Sequence, residues 1–154
     1  GAVLAVLVAD CVPVLMADRD GTVIAAVHAG WRGTEARIVE VMVKRLKDAG
    51  VAPETLLVAL GPAISQDSFE IGPEVAEALG KAFPKAGAAL RPGEGDRFHA
   101  DLWALNQQVL LEAGVPAESI DVLRLDTVGQ SELFSYRGDG GETGRQAGVI
   151  AFAS

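Results

Sequence analysis

One cysteine, Cys11, stands in 154 residues, so no intramolecular disulfide can form and a disulfide-stapled secreted fold is excluded. Aromatic residues make up only 5% of the chain, with a single tyrosine, which leaves few platforms for stacking bases. Positive charge is scarce as well: 13 Lys and Arg stand against 21 Asp and Glu, a formal charge of −8. The densest basic cluster is Lys44, Arg45 and Lys47. Nucleic acids and anionic membranes call for a cationic footprint, so neither is expected as a partner. No apolar run reaches the ~18 residues of a membrane helix. The opening run, Ala2 to Ala9, stops at Asp10 and lacks a basic n-region, so it does not read as a signal peptide. A cytoplasmic location is the expectation. An initiator methionine is also missing, and the chain begins almost inside a strand. That start predicts a single domain, 1–154, without its N-terminal segment.

What is present suffices for a packed core. Apolar residues reach 49%, too many for a disordered chain. Eighteen Gly and seven Pro punctuate the sequence about evenly, and no linker divides it. Three short runs rich in Val, Leu and Ile come first: LAVLVAD, VPVLMAD and TVIAAVHA. Their near-continuous apolarity predicts strands covered on both faces. Asp18 to Gly21 reads as the turn between the second and third. A helix is expected from Thr34 as N-cap to Gly50 just past the end, with an apolar stripe of Ile38, Val39, Met42, Val43 and Leu46. Further helices are expected over Pro73–Phe83 and Asp101–Ala113, and strands over Leu56–Leu60, Ile120–Leu125 and Val149–Phe152. Lys85 to Arg97 reads as an exposed loop, and Asp126 to Gln146 as a long irregular loop of the kind that often carries function. Alternating strands and helices define an α/β or α+β domain.

Three clusters carry chemistry. Ala9-Asp10-Cys11 closes the first strand, and His28-Ala29-Gly30-Trp31-Arg32-Gly33 joins the third strand to a helix. Phe134-Ser135-Tyr136-Arg137 and Thr143-Gly144-Arg145-Gln146 lie in the long loop. Cys11 and His28 at strand ends of similar height would bring a thiol to an imidazole. Such a pair makes either a Cys–His nucleophile or two ligands suited to zinc. A buried Cys is also simply a small hydrophobe, and a His after a strand is often only structural. Gly30 and Gly33 let the backbone turn sharply near a ligand, and Arg32 beside a helix start suits an anion. The plain alternative is a tight turn with a solvated arginine. Asp10 reads either as a ligand contact or as a turn partner, and His99 as a capping or surface residue.

Taken in order, LVADCVPVLMAD, AAVHAGWRGT, LGPAIS with FEIG, DLWALN and FSYRGDGGETGRQ resemble the YfiH or laccase-domain family. That family is also described as multicopper polyphenol oxidoreductases and as purine nucleoside phosphorylases. The resemblance runs from Leu4 to Ile150 and rests mainly on ADC and HAGWRGT in correct order and spacing. It implies a layered α/β/β/α sandwich of mixed sheets flanked by helices. It implies a zinc ion held by one Cys and two His, with Cys11 and His28 matching two of these ligands. The third belongs to a Q-x-H-G-like motif upstream of ADC, which this chain does not contain; His99 does not match it. Where the family often has a Cys-Thr pair, this chain reads Asp126-Thr127.

The resemblance further implies phosphorolysis of adenosine, inosine or methylthioadenosine, with phosphate as co-substrate and adenosine deamination as a linked activity. Catalysis is expected from Cys11, His28 and Arg32, and substrate contacts from Asp10, Gly30, Tyr136, Arg137 and Arg145. Older descriptions of the family give copper-dependent phenol oxidation, but one Cys and two His cannot build several copper centres. Two alternatives stay open: a Cys–His hydrolase acting on an amide, as in peptidoglycan precursor editing, and a non-catalytic ligand-binding domain.

Overall fold

The computed structural model describes residues 1–152. The three opening apolar runs form β1 (Val3–Val8), β2 (Val12–Asp18) and β3 (Ile24–Ala29). Later strands are β4 (Leu56–Leu60), β5 (Glu70–Ile71), β6 (Leu90–Pro92), β7 (Phe98–Ala100), β8 (Ile120–Val122) and β9 (Gln146–Ala151). The helices are α1 (Trp31–Glu35), α2 (Ile38–Asp48), α3 (Pro73–Ala82) and α4 (Leu102–Glu112). The result is a mixed α/β fold with several sheets, in keeping with the expected class.

The central sheet has the order β3-β2-β4-β8. β2 lies antiparallel to β3 and β4, and β4 lies parallel to β8. β1 and β9 form a separate antiparallel ribbon with Val8 opposite Gln146. The ribbon packs on β2 and β3, so β2 is covered on both faces and Val12, Val14 and Met16 are fully buried. That double cover is why the run reads as continuous rather than alternating. At the ribbon's approach, a side chain at Gly148 would meet Pro13 at 3.0 Å, so the close packing excludes a larger residue there. The ribbon's outer face carries Val3, Leu7 and Val149, all exposed among the described residues. On the other side of the core, α2 contributes Val39, Val43 and Leu46, and α4 contributes Leu105, Val109 and Leu110. The third sheet, in the order β5-β7-β6, adds Ile71 and Ala100 to the core. Among the described residues, no helix is long and apolar enough to cross a membrane.

Several helix boundaries follow the sequence closely. Asp101 caps α4 by accepting from the Ala104 amide at 2.9 Å, and Pro73 opens α3. Gly50 and Gly114 follow α2 and α4 at φ of +94° and +95°, the left-handed region that glycine enters freely. The helix expected from Thr34 to Gly50 is instead two helices. It breaks at Arg37, whose φ of 54° is left-handed, and Thr34 lies inside α1 rather than at an N-cap. The reason is tertiary. The Thr34 hydroxyl is fully buried and accepts from Asn106 Nδ2 on α4 at 2.9 Å. Arg37 is held by ion pairs to Glu40 at 2.7 Å and Glu112 at 2.6 Å.

Lys85 to Arg97, read as a loop, contains β6 and a short turn at Gly87–Ala89. A three-residue strand is too short to show a period of two. The strand expected over Ile120–Leu125 stops at Val122, and the last strand begins earlier, at Gln146. The stretch between them is irregular, as expected.

Asp18, at the end of β2, organises the turn into β3. Its Oδ1 accepts from the Thr22 and Val23 amides, each at 2.7 Å, and its Oδ2 from the Thr22 hydroxyl at 2.8 Å. The Val23 amide foremost, with the Thr22 groups and against burial, holds this carboxyl below the usual carboxylate range. A carboxyl whose pKa is lower folded than unfolded stabilises fully above its unfolded value, and the contribution is lost as pH falls through the folded one. Asp18→Asn is therefore expected to flatten the fall in stability between about pH 5 and pH 2. Urea midpoints measured across that range check this; an acid limb identical to the wild-type one rejects it.

Candidate active site

Antiparallel pairing of β2 with β3 sets Val12 opposite Ala29 and Pro13 opposite His28. Cys11, just before β2, therefore stands beside the end of β3. The thiol and the imidazole come to one cavity because the start of one strand adjoins the end of its antiparallel neighbour. Cys11 is half-buried and His28 exposed, and both line a cavity of about 400 Å³. Ala9 and Asp10 complete its floor. Trp31, Ile64, Phe69 and Leu102 give it apolar walls. Tyr136, Arg137 and Arg145 reach it from the long loop.

Gly30 supports the sulfur from behind. A Cβ at this position would lie 2.8 Å from Cys11 Sγ. The backbone there is ordinary, with φ −75° and ψ 177°, so space rather than conformation demands glycine. The helix after it, α1, has only five residues, too short to present the anion-binding N-terminus expected for this motif. Arg32 also departs from expectation. It is exposed, outside the cavity lining, with its guanidinium stacked 4.4 Å from the Trp31 ring centre. The cations at the cavity are Arg137, 5.5 Å from the Phe69 ring centre, and Arg145, whose guanidinium donates to the Gly144 carbonyl at 2.7 Å.

Two carboxylates fasten the long loop. Asp126 accepts from the Ser65 and Ser68 hydroxyls, each at 2.6 Å, and from the Val128 amide at 3.0 Å. Burial pushes its carboxyl upward, but these bonds outweigh it and hold the group below the usual range. Asp10 has a left-handed backbone, φ 83°, and its carboxylate accepts from Thr127 Oγ1 at 2.6 Å, Ser135 Oγ at 2.7 Å and the Arg137 amide at 2.7 Å.

Burial pushes the Cys11 thiol up, and the neighbouring Asp10 charge adds to this, while Arg145 acts in the opposite direction. A raised thiol is a poor nucleophile at neutral pH, which works against a metal-free Cys–His dyad. As donors, a thiolate and an imidazole fit zinc in kind. They fall short in number, because a catalytic zinc takes three protein ligands. Among the described residues, no group of three His, Cys, Asp or Glu converges to hold a metal. His99 lies on β7, with Nδ1 2.9 Å from the Gln66 carbonyl oxygen, and is not part of the cavity lining.

The structure thus gathers Cys11, His28, Asp10, Tyr136, Arg137 and Arg145 at one cavity, sets Gly30 against the sulfur and leaves Arg32 outside. Composition and spacing alone did not reveal the apolar walls. Their signal lay in the motifs: Trp31 within HAGWRG, Phe69 in FEIG and Leu102 in DLWALN.

This fold recurs in known proteins. The crystal structure of YlmD from Geobacillus stearothermophilus superposes with a TM-score of 0.94 at 32% identity, over 99% of this chain and 58% of that one. A family model described as multi-copper polyphenol oxidoreductase laccase matches residues 1–153, so the chain belongs to this YfiH or laccase-domain family. Purine nucleoside phosphorylase YfiH of Escherichia coli strain K12 is 44% identical over 97% of the chain and 59% of its own length. Adenosine deaminase RL5, from an unknown prokaryotic organism, is 42% identical over 78% of the chain and 46% of its own length. The chain therefore spans about half the length of these relatives.

Proposed function

We propose that the protein is a zinc-dependent purine nucleoside phosphorylase, with adenosine deamination as a second activity of the same site. The observation that carries the reading is the cavity itself. A thiol, an imidazole, aromatic and aliphatic side chains and two arginines line it together. Its volume of about 400 Å³ is within the usual range for small-molecule sites. The relatives' names supply the substrate class.

In this reading Trp31, Phe69 and Tyr136 hold the flat base against their rings. Arg137 and Arg145 hold and orient phosphate, offsetting its charge against the acidic balance of the chain. A phosphate oxygen attacks the anomeric carbon of ribose, the bond to the purine nitrogen breaks, and the departing base takes a proton. Cys11 and His28 would hold zinc as two of its three protein ligands, the third not being among the described residues, and the metal would supply Lewis acidity for displacing the amino group of adenosine. Arg32 stays outside the chemistry and stacks on Trp31, steadying that wall.

The test is a nucleoside assay with and without inorganic phosphate. Free base and ribose 1-phosphate are expected from adenosine and inosine only when phosphate is present. A chelator is expected to stop the reaction and added zinc to restore it. Equal release of base without phosphate, or no turnover of any purine nucleoside by the zinc-loaded protein, rejects the reading.

A further inference from the structure

We propose that Asp10 is a positioning residue: its carboxylate sets the backbone of Arg137, and so places that guanidinium at the cavity. The proposal rests on the reading of Arg137 as the phosphate-holding cation. Three observations carry it.

The first is the use made of the carboxylate. Oδ1 accepts from the Thr127 and Ser135 hydroxyls at 2.6 and 2.7 Å, and Oδ2 accepts from the Arg137 amide at 2.7 Å. Thr127 and Ser135 are both buried, at 1% and 3% exposure. Charge-assisted hydrogen bonds of this kind are stronger than neutral ones, and the two to Oδ1 come from buried hydroxyl-bearing residues. Three of the roughly four acceptor positions of this carboxylate are taken by the loop, so its main work is on the loop, beside the substrate contact expected of it at the cavity.

The second is the conformation. Asp10 sits at φ 83°, a region that Asp and Asn tolerate better than other side chains but that remains unusual. Such outliers persist where surrounding contacts over-determine them, and they cluster at functional sites. Here the left-handed turn follows β1 and directs the carboxylate to the loop, while the next residue, Cys11, turns to the cavity. Asp10 thereby serves the loop, while Cys11, backed by Gly30, carries the sulfur.

The third is the linkage beyond Asp10. The Ser135 hydroxyl that donates to Asp10 also accepts from the Gly138 amide at 2.9 Å. The Asp10 carboxylate thus ties the turn at Ser135 and at Arg137, while Asp139 accepts from the Ser135 amide at 3.3 Å from the loop's other side. Arg137 leaves this turn to stack on Phe69, which Asp126 steadies through Ser65 and Ser68.

The test combines Asp10→Gly, Asp10→Asn and Arg137→Ala. Glycine accepts the backbone conformation but removes the carboxylate; asparagine accepts it and keeps one acceptor oxygen. Asp10→Gly is expected to raise the KM for phosphate by about tenfold, with kcat at saturating phosphate changed by less than about threefold. Asp10→Asn should lie between that variant and wild type. In an Arg137→Ala background, Asp10→Gly is expected to add less than about twofold, because the two residues act as one unit. Additive losses, or a wild-type phosphate KM in Asp10→Gly, overturn the proposal.

Hydrogen exchange at the amides of residues 135–138 gives a readout that does not need turnover. It should speed up in Asp10→Gly, with the β2 and α4 amides unchanged. If the wild-type protein shows no phosphate-dependent turnover, the function reading fails by itself, while unchanged exchange in that turn defeats the positioning role. Should Asp10→Gly fail to fold, the Thr127→Val, Ser135→Ala pair removes the two hydroxyl bonds to Oδ1 and leaves only the Arg137 amide bond to Oδ2; it is expected to speed exchange at residues 135–138 and raise the phosphate KM, and wild-type values of both overturn the proposal.

Discussion

Cys11→Ala and His28→Ala are each expected to lower phosphate-dependent nucleoside turnover by more than about 10³-fold, roughly the several kcal/mol that a bound metal contributes to a transition state. Neither change should unfold the protein. Cys11 is only half-buried and His28 is exposed, so alanine opens no large cavity at either position. The β2–β3 register is carried by backbone bonds and by the buried Val12, Val14 and Val27. Zinc content should fall together with activity in both variants, measured by metal analysis after dialysis. Cys11→Ser sharpens the result, since a hydroxyl keeps the size but loses the soft thiolate donor. Full zinc loading with wild-type turnover in both alanine variants would falsify the assignment. Loss of turnover with zinc retained would move the two side chains from metal ligands to groups acting directly on substrate.

Gly30→Ala is expected to cost about 100-fold in turnover, the scale on which an ångström of misplacement is felt at a reacting centre. The added methyl would lie 2.8 Å from Cys11 Sγ, nearer than real Cβ atoms approach a neighbour. The sulfur must shift or the β3–α1 junction must open. Backbone strain contributes nothing, because φ is −75° and alanine adopts that conformation freely. Gly30→Ala therefore separates the position of the sulfur from its chemistry: Cys11 is still present, but displaced. A double variant with Cys11→Ala should recover stability, since the methyl then has room, and should stay inactive. Wild-type turnover in Gly30→Ala would show that the sulfur position is not critical.

The opening strands were legible because β2 is apolar from Val12 to Ala17 and Asp18 to Gly21 breaks the pattern before β3. Pro73, Asp101, Gly50 and Gly114 marked helix ends because capping and φ preference are local properties of single residues. The break at Arg37 was not legible. It depends on Asn106, 72 residues from Thr34, and on Glu112, 75 residues from Arg37. β5, β6 and β7 are two or three residues long and exist only because they pair with one another.

The candidate site divides along the same line. Sequence alone set the reactive groups: one thiol, one adjacent Asp, one His within HAGWRG, and arginines in a Gly-rich loop. Motif order tied them to a family, and that membership follows from residues whose types and spacing are written directly in the chain. Only the tertiary structure decided which arginines line the cavity. Arg137 and Arg145 reach the cavity, whereas Arg32 turns out over Trp31. It also decided that the Asp10 carboxylate faces residues more than a hundred positions away, at Thr127, Ser135 and Arg137. The physical reason is the range of the forces concerned. Propensity, capping and periodicity act within a few residues, while side-chain direction is fixed by whichever distant partner satisfies a buried polar group.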